Sequence, residues 1–283
     1  MAITIAVVGA GSMGSGVGRR LADHGATVWT PLAGRSAATI ARAAASGMIA
    51  VSDDHLAEAD FVLSIVPPAE ALAVARRLAA VLAGAPGRPV FVDCNAVSPV
   101  TVAGIAAVMA PTGCPFIDAG IIGAPPVPGG AGPTFYASGP DAVRLQAATA
   151  FGLDIRTIDG PIGAASALKM SYAGITKGLT GLGAAMMLAA SRAGAADALY
   201  RELAASQPAL LAWLTRQVPG MYPKAYRWVA EMEEIAAFVG EDPAAARIFE
   251  GEARLYQRLA DDRAVDGAEI AALTAFVRQG DAE

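Results

Sequence analysis

Cysteine and histidine are nearly missing from this chain, with two of each in 283 residues. Cys94 and Cys114 lack the neighbouring Cys or His of a zinc site, so both are expected as buried small hydrophobes in a reducing cytoplasm, with no disulfide and no metal. His24 stands beside a helix-ending Gly25 and His55 in a polar turn, and neither is expected as an acid or a ligand. Aromatic residues make up only 6% although 54% of the chain is hydrophobic, because Ala and Gly dominate. Such small residues favour closely packed helices and tight turns over a large aromatic core. The net charge is -5, and no cluster of Lys and Arg forms the stripe that a phosphate backbone requires, which excludes nucleic acid as a partner. Long apolar runs are also missing. Gly178 to Ser191 is uncharged but only about 14 residues long and Gly-rich, short of the roughly 18 that suggest a membrane span, so a buried helix is expected there. The opening MAITIAVVGAG has no basic residue before its apolar run and no cleavage-site pattern, so export is not expected.

What is present is an alternation. Strand-like runs at Ile3 to Val8, Thr27 to Thr30, Phe61 to Val66, Pro89 to Asp93 and Phe116 to Ala119 are separated by helical runs, which implies parallel strands with crossover helices. The strands are rich in Val and Ile without strict alternation, as expected when both sheet faces are covered. After Asp159-Gly160-Pro161 the pattern becomes helical throughout, with an Ala/Gly-rich helix from about Ala164 to Ala193 and punctuation near Gln207-Pro208, Pro219-Gly220 and Asp242-Pro243. The expected organisation is α/β: a doubly wound, mostly parallel sheet over residues 1–160, followed by an all-α domain over 161–283. A chain of this length suits two domains, each burying its own core.

Gly9, Gly11 and Gly14 form a GxGxxG turn directly after the first strand, with a helix and a second strand following at the expected spacing. The glycines permit a tight turn, close approach of the backbone to a pyrophosphate and close helix–strand packing, and the helix N-terminus offers free N–H groups to phosphate. Gly9, Ala10, Gly11, Ser12, Met13 and Gly14 are therefore expected to cradle a dinucleotide. An NAD-preferring site usually ends its second strand in Asp or Glu. Thr30 stands there instead, no acidic residue occurs between His24 and Ser52, and Arg35-Ser36 falls in the loop facing the ribose. A 2'-phosphate would be bound there by charge-assisted hydrogen bonds, which favours NADPH over NADH. The alternative is that Arg35 is a solvated loop residue and both cofactors are accepted. Val66 and Pro67 end another strand and are expected to pack against the cofactor.

GAGSMGSGVGRRLADHG (Gly9 to Gly25), SIVPP (Ser64 to Pro68), DCNAVSP (Asp93 to Pro99), DAGIIGAPPVPGGAG (Asp118 to Gly132) and GPIGAASALKMSYAG (Gly160 to Gly174) occur in that order. Together they resemble the motifs of the β-hydroxyacid dehydrogenases, the group that includes 3-hydroxyisobutyrate and 6-phosphogluconate dehydrogenases. The likeness covers about the first 190 residues. The remainder resembles a helical C-terminal domain of uncharacterised function that accompanies this Rossmann domain in some members. The resemblance implies that Lys169 is the catalytic lysine. A hydride delivered to a carbonyl leaves an alkoxide that needs a proton, and a lysine in an apolar cleft has its pKa drawn toward the useful range. The alternative is a lysine snorkelling from near a helix end. Asn95 matches the position where the family touches nicotinamide or substrate with Ser or Thr, although Asn is also a common turn former.

Two departures bear on the substrate. Where the family reads DAPVSGG, this chain has Asp118-Ala119-Gly120-Ile121-Ile122-Gly123-Ala124, so the carboxylate-binding Ser is Ile122, while Gly123 keeps a backbone N–H. The family's Asn four residues after the lysine is Ala173. The pocket should be more apolar and roomier than one built for a small hydroxy acid, with Tyr172, one helical turn past Lys169, as a replacement polar contact. Tyr222, Lys224, Tyr226 and Arg227 form a further polar and aromatic cluster, read as an inter-helix surface or, through Arg227, as the family's second lysine position. The overall expectation is a cytoplasmic NADPH-dependent oxidoreductase acting on a small molecule, with its active site between the domains. Gly174, Gly178 and Gly181, together with the resemblance, suggest a homodimer. Imine reduction, which Lys169 argues against, and a catalytically idle NADPH-binding regulator are the rivals.

Overall fold

The computed structural model describes residues 3–84 and 87–282. Its sheet unit runs in the order β1 (Thr4–Val8), α1 (Ser12–Asp23), β2 (Thr27–Pro31), α2 (Ala37–Ala45), β3 (Ile49–Val51), β4 (Phe61–Ser64), α3 (Pro68–Leu82), β5 (Val90–Asp93), α4 (Pro99–Met109), β6 (Phe116–Ile122), β7 (Thr134–Ser138) and β8 (Asp154–Thr157). The eight strands lie in the order β3-β2-β1-β4-β5-β6-β7-β8. All neighbours are parallel except β6 and β7, which pair antiparallel from Asp118 opposite Ser138 to Ile122 opposite Thr134. This is a doubly wound Rossmann sheet, and its strand order reverses between β1 and β4, the point where such folds bind ligands.

Burial on both faces explains why the strands read as unbroken apolar runs. Ile5 and Val7 of β1 face one core with Val17 and Leu21 of α1, while Ala6 and Val8 face another with Leu78 of α3 and Ile105 of α4. The first core is kept thin by glycine: a Cβ at Gly18 would stand 2.7 Å from Met48 Sδ. Three strands escape the sequence pattern for physical reasons. β3 is three residues long and mostly exposed, β8 is polar (DIRT), and β7 follows a Pro- and Gly-rich loop.

The second unit is helical: α5 (Ala164–Arg192), α6 (Ala196–Ser206), α7 (Pro208–Met221), α8 (Ala225–Phe238), α9 (Pro243–Ala264) and α10 (Ala268–Val277). The division into compact units falls at Met170 and Ser171, inside α5, so the first two turns of that helix belong with the sheet. Pro219, expected to end a helix, lies inside α7, two residues before its end. A proline so near a helix terminus removes one hydrogen bond without stopping the last turn. By length and composition α5 could cross a membrane. It nevertheless carries Lys169, Lys177 and Arg192, and its later turns pack through Gly174 on Phe249 and Ile235, and through Gly183 on Leu214.

Candidate functional site

The carboxyl ends of β1, β4, β5 and β6 are neighbours along one edge of the sheet, and the sequence-marked residues of the sheet unit gather there. β1 leads into the glycine turn, β4 into Val66 and Pro67, β5 into Asn95, and β6 into Ile122 and Gly123.

The three glycines of the turn are not equivalent. A Cβ at Gly14 would stand 1.9 Å from the carbonyl oxygen of Gly9, and one at Gly9 would stand 2.3 Å from that of Ile65, so both are required by the protein's own backbone. A Cβ at Gly11 would meet nothing within 4 Å. Gly11 is exposed and is the N-cap of α1, which begins without a side-chain cap. An open, uncapped helix N-terminus at the switch point fits a pyrophosphate, whose oxygens would approach where Gly11 has no side chain. Arg42 of α2 donates to the carbonyl of Ala10 at 3.0 Å and ties that helix to the turn, a contact that nothing in the sequence pattern announces.

Around the expected ribose position the picture is mixed. Arg35 and Ser36 are both exposed. Ser36 caps α2, accepting from Thr39 N at 3.3 Å, and the Arg35 guanidinium lies 3.7 Å from Glu70 on α3. Thr30 departs from expectation. β2 continues to Pro31, leaving Thr30 within the strand with no exposed surface, so its hydroxyl is not available to a ribose.

Asn95 is 3% exposed and its polar atoms are engaged. Its Oδ1 accepts from Val66 N at 2.7 Å, its Nδ2 donates to Ser64 Oγ at 3.1 Å, and its backbone N donates to Asp93 Oδ1 at 2.8 Å. Asn95 therefore braces the β4 loop, and Val66, whose N–H it holds, packs behind Gly9 while Pro67 stays exposed. Next to it, burial and the Asp93 charge raise the Cys94 thiol well above its ordinary value, which makes it an unreactive core residue.

Lys169 lies on the portion of α5 that belongs to the sheet unit. Its Nζ donates to the carbonyl of Ile121, near the end of β6, at 2.7 Å. Burial lowers its pKa to about 8, because desolvation penalises the ammonium and no carboxylate offsets the penalty. Gly120 lets the helix come this close: a Cβ there would stand 2.8 Å from Ala165 O and 3.1 Å from Lys169 Cβ. Ile122 is half-buried beside this carbonyl, and Gly123 is exposed at φ 128°.

The two remaining substrate candidates differ in exposure. Tyr172 is 50% exposed, whereas Ala173 is 2% exposed and so cannot line an open pocket: the structure corrects that expectation. In the later cluster Tyr226 is exposed with Arg227 5.7 Å over its ring, and Tyr222 is half-buried.

Sequence reasoning missed Asp118, which has no exposed surface and accepts from Ser138 Oγ, Gly163 N, Ser166 N and Ser166 Oγ. The signal was present, since an acidic residue inside the apolar strand FIDAGII is costly unless the fold uses it.

The family model described as the NAD binding domain of 6-phosphogluconate dehydrogenase matches residues 4–152, and one described as a domain of unknown function (DUF1932) matches residues 190–259. No curated protein matches in sequence. Among solved structures, the conserved protein MTH1747, of unknown function and described as structurally similar to 3-hydroxyacid dehydrogenases, is 29% identical. That match covers 90% of this chain and 99% of the other, with a TM-score of 0.68. A 3-hydroxyisobutyrate dehydrogenase from Mycobacterium tuberculosis, solved with L-serine, shares the fold at 20% identity over 98% and 99% of the two chains, TM-score 0.66. An imine reductase from Myxococcus stipitatus in complex with NADP+ shares it at 19% identity over 97% and 99%, TM-score 0.54. With more than half of its length matched, the chain belongs to the family of the 6-phosphogluconate dehydrogenase NAD-binding domain and is an NAD(P)-binding oxidoreductase of that family.

Proposed function

We propose that this protein is an NADPH-dependent reductase or dehydrogenase that moves a hydride between nicotinamide and a carbonyl or hydroxyl carbon, with Lys169 as the proton donor and acceptor. The observation that carries the reading is the half-buried Lys169 ammonium, held on the Ile121 carbonyl with its pKa lowered to about 8 at the ligand-binding edge of the sheet. The cofactor supplies or takes the hydride. Lys169 gives a proton to the developing alkoxide in reduction and accepts it in oxidation, and a pKa near the working pH suits both directions. Ile122 in place of a carboxylate-binding serine favours a less polar substrate than a small hydroxy acid. NADPH is preferred because Arg35 and Ser36 occupy the ribose loop and no acidic residue does.

On this reading two copies of the chain pair as a homodimer. Tyr172, Ile175, Leu179, Leu182 and Met186 of α5 are each between 44% and 64% exposed and recur at spacings of three and four, an apolar stripe suited to a second copy. The buried, unpaired Cys94 and Cys114 suit a cytoplasmic location.

The test is Lys169→Ala in the purified protein, with NADPH and NADH titrations and a panel of ketones, aldehydes and imines followed at the nicotinamide absorbance. Turnover should fall about 100- to 10,000-fold while NADPH affinity is unchanged. In the wild type, reduction should slow as pH rises through about 8, because it needs the protonated lysine, and oxidation should speed up over the same interval. Turnover confined to imines would move the protein to the imine reductases. No turnover by the wild type on any panel member would leave an NADPH-binding regulator, and equal or tighter NADH binding would overturn the cofactor assignment.

A further inference from the structure

Lys169 is placed by a strand rather than by its own helix, and the same strand touches that helix at three successive heights. α5 begins after Gly163, which has φ 104° and no side chain with which to cap the helix. A helix start leaves its first N–H groups without intrahelical partners, and burying them unsatisfied is costly. Asp118 of β6 serves as the missing cap from 45 residues away in sequence. Its Oδ2 accepts from Gly163 N at 2.9 Å and from Ser166 N at 3.1 Å, and its Oδ1 accepts from Ser166 Oγ at 2.7 Å. Ser138 of β7, paired opposite Asp118, completes the set: its Oγ donates to Asp118 Oδ2 at 3.0 Å and accepts from Ala165 N at 2.9 Å. Two residues along β6, Gly120 admits the Ala165 carbonyl and Lys169 Cβ; one residue further, the Ile121 carbonyl accepts from Lys169 Nζ. Ser166 and Lys169 are one turn apart and share a helix face.

We infer that Asp118, with Ser166 and Ser138, is the positioning assembly that fixes the height and rotation of α5 and thereby holds Lys169 on the Ile121 carbonyl. The inference rests on the reading of Lys169 as the proton-transfer group, but its physical content concerns where the ammonium is held. A carboxylate fits this role better than a neutral acceptor. It presents acceptors on both oxygens to converging N–H and O–H donors, and its charge faces the positive end of the helix. Were the assembly loosened, Nζ would leave the carbonyl for water, and the lysine would regain its ordinary basicity.

The experiment uses Asp118→Asn, which replaces one acceptor oxygen by a donor, and Ser166→Ala, which removes one hydroxyl, keeps the charge and favours the helix. Lys169, Lys177 and Lys224 are the chain's three lysines, so competitive acetylation read by mass spectrometry reports the pH midpoint of Lys169 against exposed Lys224 as an internal reference, with no substrate needed. Both variants should raise the Lys169 midpoint above about 8, more in Asp118→Asn. In Ser166→Ala, kcat for reduction should fall roughly 3- to 30-fold with the NADPH dissociation constant within about twofold of wild type. Should Asp118→Asn fail to fold, Ser166→Ala alone carries the test. A Lys169 midpoint unchanged in folded Ser166→Ala, with kcat intact, would overturn the inference and leave Asp118 as a stability residue. A raised midpoint in a protein whose wild type turns over nothing would uphold the positioning and remove the proposed reaction.

Discussion

Asp118 in the sheet unit and Glu252 in the helical unit are both carboxylates withdrawn from water, one with no exposed surface and the other with 8%. Their surroundings differ in every other respect. Asp118 meets four donors, three of them on or beside the start of α5. Glu252 of α9 points at Gly181 of α5, where a Cβ would stand 1.7 Å from its Oε2, and that oxygen is buried with no hydrogen-bond partner among the described residues. Burial pushes the Glu252 pKa up to about 7. Glycine makes room in both places, for different neighbours: Gly120 faces backbone and Gly181 faces the end of a flexible side chain. In the sheet unit a buried charge organises the structure; in the helical unit a buried carboxyl is accommodated by a small neighbour and by its own proton.

The strongest way to break this comparison is to fill the two glycine notches. Gly120→Ala sets a methyl group against the Ala165 carbonyl, which can move only if α5 moves. The expected loss is about 3 kcal/mol of stability, as for other overpacked cores, together with most of the activity. Gly181→Ala displaces only the Glu252 carboxylate, which can rotate away, while alanine improves helix propensity by up to about 1 kcal/mol, so a net change of less than about 1 kcal/mol is expected. Denaturant unfolding of both variants checks this. Equal losses at the two positions would show that the helical unit is as rigid around Glu252 as the sheet unit is around Lys169.

A smaller effect, of opposite sign, is expected from Glu252→Gln. The folded protein holds a proton on Glu252 that the unfolded chain releases above its ordinary value of 4.5, so folding stability falls as pH rises from about 4.5 to 7 and stays low above that. Glutamine has the same shape and no charge to desolvate. At pH 8 the variant should be more stable than wild type by about 2 kcal/mol, and at pH 4.5 the two should agree. Unfolding midpoints at both pH values decide it; a variant less stable at pH 8 would show that the ionised carboxylate has a partner the fold depends on.

These two carboxylates also mark how far the sequence could be read. The glycine turn, the strands that follow it and α5 are legible, because period, spacing and motif order are local properties that parallel sheets and helix caps impose directly. Thr30 was misplaced because a strand's last residue is set by its neighbour's pairing, here Pro31 with Val51, and not by its own type. The Asn95 side chain faces inward, to Val66 and Ser64, and Ala173 is covered; both outcomes depend on elements distant in sequence. Asp118 stands out as an acid in an apolar strand, but its partners are opaque for the same reason, since they lie 20 to 48 residues further along the chain. Glu252 reads as an ordinary charged helix residue until Gly181 is brought against it.

The smallest expected structural effect belongs to the glycine that reads as most important. Gly11→Ala introduces a methyl group into open space at φ −71°, a conformation alanine adopts freely. The only internal cost is a weaker N-cap, about 0.5 kcal/mol, so melting temperature and circular dichroism should hardly change. Gly14→Ala, by contrast, would collide with the Gly9 carbonyl and disturb the turn itself. If the space above Gly11 is where phosphate oxygens approach, NADPH affinity in Gly11→Ala should fall by about tenfold or more, since a displaced charge-assisted contact at a helix N-terminus is worth at least about 1.4 kcal/mol. Calorimetric titration with NADPH alongside the melting curve separates the two contributions. Affinity retained in a fully folded Gly11→Ala would place the dinucleotide away from the turn, and with it the link between this edge of the sheet and the lysine that β6 holds there.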